Sequence, residues 1–280
     1  MSLPVTPIPM ETFFKLERSV KTCTPFDRDY QSGTAPVSLL SRMFPSLILY
    51  SRFLRIVFQS SAKAKRGRYD DDAFCQSSLA VMRALEAVGV GFDISGLEHL
   101  QRLEGPCVVV ANHMSVMEAM VLPTIIMPFR KTTFIIKEGL MRYPVFKHVM
   151  ASRDPIVVSR ANPRQDLKTV LQQGAMLLKK GVSVVVFPQT TREQSFDPEL
   201  FNSLGMKLAA RAKVPALPLA LLTDAWGNGR LVKEFGKIDP RKRARFAFGA
   251  PIEVRGRGAG EHQRVIEFIS HKLDHWQGLR

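Results

Sequence analysis

Beyond residue 105 the chain alternates short apolar runs with longer stretches of mixed polarity. The runs at 106–111, 132–136, 155–159, 182–187, 216–222 and 244–249 predict strands buried on both faces of a sheet. The stretch 163–180 between them has full helix punctuation: Asn162 caps it, Pro163 takes the first turn, Lys179 and Lys180 suit the C-terminal end of the dipole, and Gly181 stops it. Strands alternating with helices predict an α/β domain with a mostly parallel, twisted sheet covered by helices. Upstream, residues 37–60 and 73–89 predict two helices, the second placing Phe74, Leu79, Val81, Met82, Leu85 and Val88 at three- and four-residue spacing. Gly89 and Gly91 close this pair. The expected organisation is a Pro-containing leader at 1–36, an amphipathic two-helix region at 37–90 and an α/β domain at 91–280.

Charge changes the reading of the first helix. The chain carries 40 basic and 25 acidic residues, a formal net charge of +15, which suits an anionic partner. Between Tyr30 and Asp70 there is no acidic residue, while Arg42, Arg52, Arg55, Lys63, Lys65, Arg66 and Arg68 lie there among Phe44, Leu47, Leu54 and Phe58. A spanning helix needs about 20 predominantly apolar residues, and Arg52 and Arg55 interrupt this run too early. The pattern fits a helix lying in a membrane surface with a polybasic flank, or else a core helix with snorkelling arginines. The N-terminal residues show no secretory signal, so the catalytic face is expected on the cytoplasmic side of a membrane, held peripherally or monotopically. Cys23, Cys75 and Cys107 are far apart and include no C-x-x-C, which suggests neither a zinc site nor a disulfide framework. No metal and no cofactor is expected. Without a recognition helix, zinc spacing or an aromatic–basic motif, nucleic acid is not expected as a partner either.

The chemistry concentrates at His113 and Glu118. An apolar run delivers the imidazole to a turn, and a carboxylate follows five residues later. A carboxylate on one ring nitrogen fixes the tautomer and makes the other nitrogen a better base. Ser115 and Glu118 also spell S-x-x-E, a capping box, so Glu118 reads equally as a helix-start residue. Ser115 is the rival nucleophile, though its place fits a cap better.

Four blocks in order resemble the glycerolipid (lysophospholipid) acyltransferase family, from about residue 91 to about 255. They are Asn112-His113-Met114-Ser115-Val116-Met117-Glu118 against the family's N-H-x-S-x-x-D; Phe134–Leu140 with Arg153–Arg160; Phe187-Pro188-Gln189-Thr190-Thr191-Arg192 against F-P-E-G-T-R; and Val214–Leu221. Glu118 replaces the family's Asp, and Gln189-Thr190 replace Glu-Gly. The resemblance implies acyl transfer from an acyl thioester, acyl-CoA or acyl carrier protein, to the free hydroxyl of a lysophospholipid, with lysophosphatidate the first acceptor to expect. It further implies His113 as base, Glu118 as its orienter, and Lys137 and Arg192 as phosphate ligands. Arg160, ending the second block, is a third cation there, unless it only pairs with Asp166. The backbone N–H groups of Gln189, Thr190 and Thr191 suit an oxyanion or phosphate. Bacterial members of the family have an N-terminal two-helix membrane-docking motif, similar to the layout at 37–90. The substituted blocks leave two alternatives: a lipid-binding homologue impaired in turnover, or an acyltransferase for a different lyso-lipid or amino-acid lipid. Trp226, in the Gly-rich loop 224–229, fits either the flank of an acyl channel or an interfacial position.

Overall fold

A computed structural model describes residues 26, 28–33, 36–143, 145–189, 191–230 and 232–279. Most of the 1–36 leader, including Cys23, lies outside the described residues. The remainder forms a three-layer α/β/α arrangement around an eight-stranded mixed sheet. Its strands are β1 (Tyr30–Gln31), β2 (Phe92–Ser95), β3 (Val108–Ala111), β4 (Thr132–Lys137), β5 (Ile156–Val158), β6 (Ser183–Val186), β7 (Ala216–Leu222) and β8 (Ala244–Phe248). They lie in the order β1-β2-β8-β7-β3-β6-β4-β5. The pairings β2–β8, β3–β6, β3–β7, β4–β5 and β4–β6 are parallel, whereas β1–β2 and β7–β8 are antiparallel. All six strands expected from the apolar runs are present. β2 was not expected: four residues, only two of them buried, follow directly on a helical stretch and leave little periodicity to read.

Along β3 successive side chains go to opposite faces, so Val109 and Ala111 join one core and Val108 and Val110 the other. The first face is covered by α2 (Pro45–Lys65), α3 (Asp71–Glu86) and α5 (Met117–Ile126), the second by α7 (Pro163–Lys179), α8 (Leu204–Ala212) and α9 (Ala259–Gly278), with α1 (Leu39–Met43), α4 (Leu97–Arg102) and α6 (Phe146–Ala151) shorter. The helix expected at 37–60 is broken at Phe44. The residue before a proline is disfavoured in the α region, and Phe44 sits at φ −132°, ψ 57°, so Pro45 starts a new helix that runs on to Lys65.

Helix α2 has one buried and one exposed apolar side. Leu49, Phe53 and Val57 are buried in the sheet-face core, while Leu47, Leu54 and Phe58 form an exposed apolar stripe, continued by Leu39, Leu40 and Met43 of α1. Among the described residues no helix is long and apolar enough to cross a membrane. Cys107 is a free, buried core residue, as its apolar strand implies. Cys75 is disulfide-bonded, which the cysteine spacing did not indicate.

Candidate active site

Parallel strands emit their loops from the same edge, and this sheet uses that fact four times over. β3, β6, β4 and β5 are neighbours in that order and mutually parallel. At or just past their C-terminal ends come His113, the segment Gln189–Arg192, Lys137 and Arg160 respectively. Residues spread over 80 positions of sequence thus share one edge of the sheet, where α/β folds build their sites. Thr190 lies outside the described residues.

The turn carrying His113 is held by bonds that leave its imidazole edge unencumbered. Asn112, buried, donates from Nδ2 to the Leu221 carbonyl at 2.8 Å and accepts the Leu221 N–H at 2.8 Å, pinning the turn to β7. The His113 N–H donates to Gln189 Oε1 at 2.7 Å, and the His113 carbonyl accepts the Glu193 N–H at 3.0 Å. Asn228 Nδ2 donates to the Met114 carbonyl at 3.0 Å. The ring stacks on Phe187, centroids 4.3 Å apart and 16° from parallel. Its Nδ1 is buried and lies 3.7 Å from Glu118 Oε1, an ion-pair rather than a hydrogen-bond separation.

Glu118 takes part in the helix start and also faces His113. It is fully buried and accepts the Met114 N–H at 2.6 Å, the Ser115 N–H at 2.9 Å and the Ser115 hydroxyl at 3.1 Å, while Ser115 Oγ accepts the Met117 N–H at 3.1 Å. The helix-start bonds therefore fix the carboxylate that faces His113. Burial acts to raise the Glu118 carboxyl, but the His113 imidazole beside it and the N–H groups of Ser115 and Met114 outweigh burial and hold it below the usual carboxylate range. Ser115 is committed to Glu118, Met117 and Thr223, which argues for its structural reading.

The cations behave differently from one another. Lys137 ends β4 and is exposed. Arg160 has φ +61°, a left-handed conformation uncommon without glycine, maintained because Asp166 accepts the N–H groups of Ser159 at 2.9 Å and of Arg160 at 2.7 Å. Burial and then the nearby Arg192 charge lower the Arg160 pKa, with Asp166 opposing. Arg192 pairs through Nη2 with Glu234 Oε1 at 2.7 Å. Thr191 Oγ1 accepts from Lys233 Nζ at 3.2 Å. Among the described residues no group of acidic, histidine or cysteine side chains has metal-binding spacing.

An acyltransferase family model matches residues 91–222. A 1-acyl-sn-glycerol-3-phosphate acyltransferase of Pseudomonas aeruginosa is 31% identical over 212 residues, 75% of this chain and 76% of that protein. The chain belongs to the acyltransferase family. A chloroplastic 1-acyl-sn-glycerol-3-phosphate acyltransferase, BAT2, of Brassica napus is 31% identical over 140 residues, 50% of this chain and 38% of that protein. A similar fold occurs in the crystal structure of the 1-acyl-sn-glycerophosphate acyltransferase PlsC from Thermotoga maritima, with a TM-score of 0.62 at 19% identity, covering 85% of this chain and 97% of that one.

In this acyltransferase the substituted third block has a local explanation. Gln189 is buried and uses an amide oxygen where a carboxylate oxygen would serve equally to accept the His113 N–H. The bond is kept and a buried charge is avoided. The negative partner of Arg192 is Glu234, 42 residues away. Glu234 and Asn228 lie on a loop after β7 and were invisible to motif reading, as was Lys233. Trp226, also on that loop, is an interior residue and not an interfacial one. It is fully buried, edge-on to Tyr50 and Phe53 of α2, and its Nε1 donates to the Glu234 carbonyl at 3.0 Å. Gly205 lets α8 lie directly on β3: a Cβ there would stand 2.6 Å from Val110 Cγ2.

Proposed function

We propose that this acyltransferase transfers an acyl group from acyl-CoA or acyl carrier protein to the free hydroxyl of lysophosphatidate, giving phosphatidate. The observation carrying the reading is the His113–Glu118 pair on the same sheet edge as Arg160 and Arg192. Because Nδ1 faces the Glu118 carboxylate, Nε2 is the nitrogen that takes the acceptor's hydroxyl proton. The alkoxide oxygen attacks the thioester carbonyl, the C–S bond breaks as the tetrahedral intermediate collapses, and the thiolate recovers the proton from His113. The imidazolium formed in between is stabilised by the Glu118 carboxylate 3.7 Å from Nδ1. Backbone N–H groups of the segment Gln189–Thr191 serve the developing oxyanion or the phosphate. Lys137, Arg160 and Arg192 take the acceptor's phosphate, Arg192 bidentately through the edge that Glu234 leaves open.

The test is an acceptor screen with purified protein and a labelled acyl thioester, comparing lysophosphatidate with zwitterionic lyso-lipids and amino-acid lipids. Preference for an acceptor without a phosphate would end the lysophosphatidate reading. Arg192→Lys is expected to raise the KM for lysophosphatidate about tenfold or more while changing donor KM little, since one ammonium engaged by Glu234 has no second edge to offer. An equal loss with every acceptor would assign Arg192 to loop structure instead.

We further propose that the reaction takes place at the cytoplasmic face of a membrane; the exposed Leu47–Leu54–Phe58 stripe beside Arg52, Arg55 and the Lys63–Arg68 flank supports the membrane-surface part of this reading. Adsorption to vesicles should require anionic lipid and fall with salt, because the Debye length is about 8 Å at physiological ionic strength. Serine at Leu47, Leu54 and Phe58 together should remove most adsorption with the fold intact, since all three side chains are exposed. Full-length protein that stays in the supernatant with anionic vesicles at low salt would rule the surface reading out.

A further inference from the structure

Helices α2 and α3 leave between them an open groove of about 780 Å³, within the size range of sites for small ligands. Its lining includes Ile56, Leu79 and Ala84, and three arginines flank these, Arg52 and Arg55 from α2 and Arg83 from α3. All three are exposed, and among the described residues none makes an ion pair. Other arginines of this protein behave differently: Arg153, Arg192 and Arg243 each meet a carboxylate within 2.5–2.8 Å. Glu86, the next carboxylate along α3 after Arg83, is occupied by the hydroxyls of Tyr30 and Ser32.

Three like charges around one groove repel, and an anion between them reverses the sign of that interaction. Guanidinium forks match phosphate oxygens, which favours a phosphate ester over a simple carboxylate. A free phosphate ion would leave the apolar lining wet, whereas a phospholipid covers it. The groove also adjoins the exposed apolar stripe of α2, Arg55 being one position from Leu54, so stripe in the acyl region and arginines at headgroup level is one consistent pose. We infer that the groove holds a single anionic phospholipid from the bilayer, its phosphate among Arg52, Arg55 and Arg83 and part of an acyl chain along Ile56, Leu79 and Ala84. The inference rests on the membrane-surface reading and adds to it a discrete site, apart from the catalytic edge of the sheet.

The experiment titrates full-length protein calorimetrically with dihexanoyl phosphatidylglycerol below its micelle concentration, with no bilayer present. Saturable binding is expected for this lipid and not for dihexanoyl phosphatidylcholine. Glutamine at Arg52, Arg55 and Arg83 together should weaken it by about tenfold or more, in line with the loss of several charge-assisted bonds. Glutamine at Lys63, Arg66 and Arg68, which removes the same charge elsewhere, should leave it unchanged. Leu79→Trp, which fills the groove without altering charge, should also abolish it. Absence of saturable binding, equal weakening by the two triple variants, retention in Leu79→Trp, or full displacement by equimolar inorganic phosphate would each overturn the proposal. So would loss in Arg192→Lys, which would assign the lipid to the active site. Vesicle sedimentation run in parallel separates the two readings: adsorption without short-chain binding sinks the groove and leaves membrane association standing.

Discussion

Replacing His113 by alanine is expected to lower turnover by about 10²–10⁴-fold, the usual worth of a general base, with little loss of fold or vesicle binding. The bonds anchoring this turn are made by its backbone and by Asn112, Gln189 and Asn228, none of which needs the imidazole. The ring gives up its stacking on Phe187 and its place 3.7 Å from the Glu118 carboxylate, which keeps its bonds to Met114 and Ser115. Steady-state kinetics alongside a melting curve decide the matter. Activity within about tenfold of wild type in a folded His113→Ala protein would sink the mechanism.

Glu118 should behave differently, because stability and turnover both pass through it. Glu118→Ala strands the N–H groups of Met114 and Ser115 and the Ser115 hydroxyl in a fully buried position, and is expected to cost about 2–5 kcal/mol, more than an exposed cap would. Glu118→Gln keeps an acceptor oxygen and the side-chain length but loses the charge facing His113. Its turnover should fall by about tenfold or more while its melting temperature falls less than that of Glu118→Ala. Near-normal turnover in Glu118→Gln would reduce the residue to a cap. The pH dependence supplies an independent check. The folded carboxyl is held below its unfolded range, so its contribution is fully present above that range and is lost as pH falls through the lower folded value. Wild type should therefore lose more stability on acidification than Glu118→Gln does.

The sequence by itself determined what is local. Strands β3 to β8, the Asn162-capped helix and the pairing of His113 with Glu118 were legible because each depends on spacing within a few residues, where backbone geometry fixes which side chains meet. Even the ambiguity over Glu118 was correctly posed, since capping and facing His113 are consequences of the same turn. The candidate cations Lys137, Arg160 and Arg192 were reached through blocks that resemble a family, not through any physical signal of their own. What only the tertiary structure decided is everything bridging distant positions: Gln189 under the His113 N–H, Glu234 on Arg192, Asn228 on Met114 and Asn112 on β7. The break at Phe44 was readable from Pro45, but the partition of α2 into a buried and an exposed apolar stripe was not, because the helix is apolar around most of its circumference. Strand direction was hidden too: β7 and β8 are antiparallel inside a mostly parallel sheet, and a run of buried residues reads the same either way. Hydrophobic periodicity records which face of an element is buried, whereas the partner across that face is set by strand order and loop path, and those are settled only when the whole core packs.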